Sequence, residues 1–193
     1  PDRIEGGTFI ILAAAAAKKV VVENIIPLHL ESLLSKLEEM GVNMIVDVDK
    51  VTVMESTNLK PIDVKTLPYP GFPTDLQQPL TSLLTKADGE SIIKETIYTE
   101  RFKHTVELQR MGATIEAGNA MAKIKGPSTL YGDKVTATDL RCGASLVIAG
   151  LIAEGVTEIH DVYHIDRGYD DIDGKLKALG AEIWREEASN VNE

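Results

Sequence analysis

The residues with the clearest chemical promise are charged side chains at short corners of the chain. Arg101 stands in Tyr98-Thr99-Glu100-Arg101-Phe102, Arg141 in Ala137-Thr138-Asp139-Leu140-Arg141, and Arg167 in His164-Ile165-Asp166-Arg167-Gly168-Tyr169. A guanidinium fork matches the geometry of a carboxylate or a phosphate. Arg141 is the least expected of the three. A cation in the first turn of a helix opposes the helix dipole. Beside a bound anion, the arginine and the helix N-terminus would instead act together. The residues therefore point to an anion site, with scattered surface arginines as the alternative. Asp75, in Gly71-Phe72-Pro73-Thr74-Asp75, and Asp139 place carboxylates at two such corners. The plain structural reading of Thr74, Asp75 and Asp139 is helix capping.

Other chemistries find little support. There is no P-loop, no dinucleotide glycine fingerprint, no His-Glu-x-x-His and no Gly-x-Ser-x-Gly. His160 and His164 have a ligand-like spacing, but their segment reads as strand then loop, so no metal site is expected. Cys142 is the only cysteine, which excludes an intramolecular disulfide and a multi-cysteine metal site. Early in a helix its thiolate could be favoured, yet a small packed residue is the better reading. The 193 residues carry 20 Lys+Arg against 30 Asp+Glu, a net charge of −10. That balance argues against nucleic-acid partners and against anionic membranes. The longest strongly apolar stretch, Phe9 to Ala17, falls far short of the roughly 20 residues of a membrane helix. It follows Asp2 and Glu5 rather than basic residues, unlike a secretory signal. Cytoplasm is the expected location.

The elements that must position these residues recur three times. Each unit opens at an aspartate (Asp2, Asp75, Asp139) and runs into an apolar helix: Thr8–Ala13, Leu80–Leu84 or Ala144–Ala149. A short strand follows, Val20–Val22, Ser91–Ile93 or Thr157–Ile159, then a second helix stopping at Gly41, Gly112 or Gly180. From leading aspartate to closing glycine the units span 39, 37 and 41 positions. Glycine there suits a left-handed helix stop. Alternating strands come next: Met44–Val48, Thr114–Ala117 and Ala181–Trp184. The first two read as hairpins with Lys50–Met54 and Met121–Lys125. Strands Ile62–Thr66 and Lys134–Thr138 lead into units two and three. The expectation is an α/β (α+β) domain over residues 1–193, with repeats at about 1–56, 61–126 and 133–187. A leading strand is missing from the first unit and a closing strand from the third. Both are expected from a segment outside this sequence, making the domain one part of a longer, discontinuous whole.

These motifs resemble the C-terminal half of the UDP-N-acetylglucosamine enolpyruvyl transferase family. The resemblance rests on Pro1-Asp2-Arg3-Ile4-Glu5, Phe72-Pro73-Thr74-Asp75, Arg101-Phe102-Lys103-His104, Arg110-Met111-Gly112-Ala113, Ala137-Thr138-Asp139-Leu140-Arg141 and His164-Ile165-Asp166-Arg167-Gly168-Tyr169. It implies a pseudo-three-fold, inside-out barrel of strand-helix-strand-helix-strand-strand repeats. It implies transfer of the enolpyruvyl group of phosphoenolpyruvate to the sugar 3′-hydroxyl of UDP-N-acetylglucosamine, the first committed step of bacterial peptidoglycan synthesis. Neither a cofactor nor a metal is implied. The implied partners are those two substrates and an N-terminal domain that carries the family's reactive cysteine; Cys142 is not that residue.

By motif, the resemblance makes Asp75 the sugar-hydroxyl contact and general base, and Asp139 a residue that orients the reacting centre. Ile97 becomes a backbone contact to the sugar nucleotide. Arg141 and Arg167 become the clamp on phosphoenolpyruvate, with Arg101 facing the active site. The alternatives are a 5-enolpyruvylshikimate-3-phosphate synthase-like enzyme and a non-catalytic scaffold copy of the domain.

Overall fold

The computed structural model describes residues 2–187. Pro1 of the opening motif and residues 188–193 of the expected domain lie outside that range. The first repeat forms α1 (Arg3–Ala16), β1 (Lys19–Glu23), α2 (Glu31–Met40), β2 (Met44–Val46) and β3 (Lys50–Met54). The second forms β4 (Asp63–Lys65), α3 (Gln77–Leu84), β5 (Gly89–Lys94), α4 (Lys103–Arg110), β6 (Thr114–Gly118) and β7 (Met121–Gly126). The third forms β8 (Lys134–Thr136), α5 (Leu140–Ile152), β9 (Glu158–His160), a single turn α6 (Tyr163–Asp166) and α7 (Ile172–Ala178).

Three helices fill the centre, and beyond their first turns their sequences carry no charged residue. Ile4 to Ala15 of α1, all of α3, and Cys142 to Ala149 of α5 are almost continuously buried. A helix without a charged face packs with protein on every side, and the polar Gln77, Thr81 and Ser82 of α3 find hydrogen-bond partners there. The outer helices are amphipathic instead: α2 buries only Leu33, Leu34, Leu37 and Met40. Each repeat's outer helix ends on the same device. Gly41, Gly112 and Gly180 adopt positive φ angles of 88°, 107° and 97°. The next residue then donates back five positions, Val42 to Leu37, Ala113 to Leu108 and Ala181 to Leu176, each at 3.0 Å. This is the Schellman closure that a left-handed glycine permits.

The central helices run parallel. Near one end Gly7 of α1 lies against the Leu76 side chain, so closely that a Cβ there would approach Leu76 Cδ1 to 2.8 Å. At the other end Lys86, just past α3, donates to the Ala15 carbonyl at 2.6 Å. Helix α3 meets α5 in the same sense: Asp75, just before α3, lies 3.7 Å from Arg141 in the first turn of α5, and midway along Ser82 Oγ donates to the Ser145 carbonyl at 2.7 Å. The helix N-termini therefore share one end of the molecule, where their dipoles favour negative charge.

The sheets wrap this centre. Their orders are β1-β3-β2, β4-β5-β7-β6 and β8-β9. In the second, β4 runs parallel to β5 and the β6–β7 hairpin continues antiparallel. The pairings β1–β3 and β8–β9 repeat parts of that pattern. One expectation fails. Ala181–Trp184 forms no strand, although β2 and β6 occupy the equivalent position in their repeats. Those strands pair only with β3 and β7, the second arms of their hairpins. Among the described residues no such arm follows Trp184, and a strand without a partner leaves its backbone groups unpaired. Strands expected at Met44–Val48 and Lys134–Thr138 also stop early, at Val46 and Thr136. No helix among the described residues is long and apolar enough to cross a membrane.

Asp2 Oδ1 caps α1 by accepting from the N–H groups of Ile4 (2.8 Å) and Glu5 (3.2 Å). Asp2→Ala should lower stability by about 1 kcal/mol while Asp2→Asn stays near wild type. Chemical denaturation of the three proteins checks this.

Candidate active site

The three repeat-leading aspartates arrive at the same end of the molecule but do different things. Asp139 caps α5, its Oδ1 accepting from Arg141 N (3.0 Å) and Cys142 N (2.9 Å). Asp2 caps α1 in the same way. Asp75 does not cap. A single 3₁₀ turn, Thr74–Leu76, stands between Pro73 and α3 and carries its side chain outward. Its Oδ1 accepts from Arg101 Nη1 at 2.7 Å, and its Oδ2 lies 3.7 Å from Arg141 Nη2. The repeat symmetry thus breaks at the carboxylate that faces two arginines.

Both guanidiniums are held from behind. Arg101 lies over the Tyr98 ring, 4.4 Å from its centroid, and also donates to Thr74 Oγ1 at 3.3 Å. Arg141 donates from Nη1 to Tyr169 Oη at 3.0 Å. Their side chains are 23% and 18% exposed, against 37% for Asp75, so all three are partly open to solvent. Two of the three candidate arginines therefore converge. Arg167 stands apart on the surface, its guanidinium 5.4 Å from the Tyr163 ring centroid. Ile97 donates its N–H to Glu95 Oε2 at 3.1 Å, which leaves its carbonyl as the backbone group free for a ligand.

Glu95 is the residue that the sequence concealed. It follows β5 and is 2% exposed. Its Oε1 accepts from Thr74 Oγ1 (2.7 Å) and Gln77 Nε2 (3.3 Å). Its Oε2 accepts from Thr66 Oγ1, Ile97 N (3.1 Å) and Tyr98 N (3.3 Å). Burial alone would raise its pKa. The Thr66 and Thr74 hydroxyls and the Ile97 and Tyr98 N–H groups outweigh burial and hold it below the usual glutamate value. Gln77 Nε2 also donates to the Arg101 carbonyl at 2.8 Å. One buried anion thus ties together the corner that presents Asp75 and the loop that presents Ile97 and Arg101.

His104 continues this network inward. Thr81 Oγ1 gives its hydrogen to the Gln77 carbonyl at 3.0 Å and accepts from His104 Nε2 at 3.1 Å. Hydrogen-bond assignment therefore places the ring proton on Nε2. Complete burial drives its pKa down to about 3, against an opposing pull from Asp139. His104 is neutral at neutral pH. His160 pairs with Glu158 at 3.1 Å, and His164 lies against the Tyr163 ring, so neither reaches the arginines. Among the described residues no group of three metal-binding side chains occurs. Cys142 is fully buried, and burial pushes its thiol pKa up, as for a packed core residue.

A family model described as EPSP synthase (3-phosphoshikimate 1-carboxyvinyltransferase) matches residues 1–176. Over 192 residues the chain is 57% identical to UDP-N-acetylglucosamine 1-carboxyvinyltransferase 2 of Listeria monocytogenes, covering 100% of this chain and 45% of that protein. The protein of the same description from Bacillus subtilis is 57% identical, covering 96% and 44%. The solved enolpyruvyl transferase NikO from Streptomyces tendae superposes with a TM-score of 0.87 at 29% identity, covering 94% of this chain and 43% of the other. EPSP synthase from Acinetobacter baumannii superposes at 0.72 with 18% identity, covering 96% and 44%, a likeness of fold alone. The chain spans less than half the length of the curated relatives it matches.

Acid should destabilise this network in two stages. Below about pH 6.5 the unfolded chain protonates its histidine, while folded His104 resists protonation down to about pH 3. Stability therefore falls across that window, at up to about 1.4 kcal/mol per pH unit. The depressed Glu95 adds a further loss only below its ordinary value of 4.5. Urea unfolding between pH 7 and 5 should show this slope in the wild type and a reduced one in His104→Gln.

Proposed function

This chain belongs to the EPSP synthase family, and from that premise we propose that it supplies half the active site of a UDP-N-acetylglucosamine enolpyruvyl transferase. The observation that carries the proposal is Asp75 set between the guanidiniums of Arg101 and Arg141 at the shared N-terminal end of the central helices. Phosphoenolpyruvate carries a phosphate and a carboxylate, and each suits a guanidinium fork. The substrate anion and Asp75 compete for the same cations. An anion that takes Arg141 and Arg101 frees the Asp75 carboxylate oxygens to face the sugar hydroxyl.

In the proposed reaction the sugar 3′-oxygen adds to C2 of phosphoenolpyruvate while C3 gains a proton. Asp75 accepts the hydroxyl proton as general base. The tetrahedral adduct then loses the C3 proton and phosphate, giving the enolpyruvyl ether. Arg141 and Arg101 balance charge on the phosphate and carboxylate throughout, with Arg167 joining when a second domain closes over this end. Asp139 orients the reacting centre from the α5 cap, and the Ile97 carbonyl contacts the sugar nucleotide. The second domain, which carries the family's cysteine, is proposed to lie in the remainder of the protein. Strands from that remainder are proposed to complete the outer edges of β1 and β9. The proposed setting is peptidoglycan synthesis in the bacterial cytoplasm.

A shikimate-type activity is the second reading, since the matching family model is named for it. Two figures favour the sugar nucleotide: 57% identity to carboxyvinyltransferases named for it, and 18% to a solved EPSP synthase.

Phosphate release by the complete protein from phosphoenolpyruvate should occur with UDP-N-acetylglucosamine and not with shikimate 3-phosphate. Asp75→Asn should lower kcat by about 10²-fold or more, and Arg141→Ala should raise KM for phosphoenolpyruvate. The 193-residue chain by itself should release none. Turnover by this chain alone, or full activity in Asp75→Asn, would overturn the assignment.

A further inference from the structure

We propose that Tyr169, seated on Thr8, is the positioning residue for the Arg141 guanidinium. The proposal rests on the reading of Arg141 as part of the anion site. Three oxygens and one cation form a chain whose direction can be worked out. Thr8 Oγ1 donates its single hydrogen to the Ile4 carbonyl one turn back in α1, at 2.8 Å. Thr8 Oγ1 therefore accepts in its 2.9 Å contact with Tyr169 Oη. Tyr169 Oη spends its hydrogen there and presents a lone pair outward. Arg141 Nη1, which can only donate, fills it at 3.0 Å. Every member of the chain has one role available, so the guanidinium has one preferred seat.

The seat is rigid. Thr8 and Tyr169 are each 2% exposed. The turn that carries Tyr169 presses directly onto α5. A Cβ at Gly168 would overlap the Leu140 side chain, and one at Gly143 would overlap Ile165. The chain also joins the first repeat to the third, with Thr8 on α1 and Arg141 on α5. Arg141 needs such a holder. It sits in the first turn of α5, where the helix dipole repels it, and Asp75 lies 3.7 Å away, beyond a strong hydrogen bond.

The test is Tyr169→Phe, which keeps the ring and removes one oxygen, with Thr8→Val and Thr8→Ser beside it. In ¹⁵N spectra of this chain, Arg141 should show distinct Nη–H signals that average together in Tyr169→Phe. Thr8→Val should shift them and Thr8→Ser should restore them. In the complete protein Tyr169→Phe should raise KM for phosphoenolpyruvate about tenfold, the loss expected for one hydrogen bond to a charged group. Values of kcat and of KM for the sugar nucleotide should stay close to wild type. A merely structural role would instead lower kcat by loss of active protein. Unchanged Arg141 signals, or an unchanged KM for phosphoenolpyruvate, overturns the proposal. Wild-type protein that turns over no phosphoenolpyruvate would refute the assigned reaction, while the Arg141 signals would still decide the positioning.

Discussion

Everything at the candidate site follows from three buried helices lying parallel. Their sequences carry no charge beyond the first turn, so each can be enclosed, and the repeats enclose them in the same orientation. Parallel packing brings partial positive charge to one end. That end then needs carboxylates or an external anion. Asp2 and Asp139 answer the need locally, as caps. At the second helix a 3₁₀ turn displaces the cap, and Asp75 turns to Arg101 and Arg141 instead. The two added cations at an already positive end face Asp75, the one carboxylate of the three that is not a cap.

The polar interior behind this end determines how firmly it is held. A buried carboxylate without a cation is costly unless its lone pairs are filled. Glu95 meets that condition with five donors drawn from β4's edge, the Asp75 corner, α3 and the loop before α4. Through Gln77 and Thr81 the same network reaches His104, which stays neutral because water is excluded from it. Thr8 and Tyr169 do the equivalent for Arg141 from the other side. The charged groups of the candidate site are exposed only in part, and Glu95, Thr8 and Tyr169 behind them are almost fully enclosed.

The sheets tell a complementary story. The second repeat has all four strands, and the first and third show portions of the same order. The helices and their glycine stops are equally regular in all three. Helices complete their hydrogen bonds within themselves, whereas a strand exists only through its neighbour. That difference explains why Ala181–Trp184 keeps the alternation of a strand yet forms no ladder.

What the sequence determined by itself was local. Apolar runs, capping aspartates and closing glycines act over about four residues, and from them the three repeats, their order and most strand positions were legible, while the central helices extend beyond the apolar runs that marked them. The arginines and Asp75 were recognisable as unusual at their corners. The tertiary structure alone decided which of them meet. Asp75 reaches Arg101 across 26 positions and Thr8 reaches Tyr169 across 161, while Arg167, equal to Arg101 by repeat position, stays on the surface. Glu95 and Tyr169 carry no local mark, because a buried carboxylate or hydroxyl differs from an exposed one only in what distant segments bring to it. Chain-local energies are written in neighbouring residues; the pairing of charges and lone pairs is written in packing.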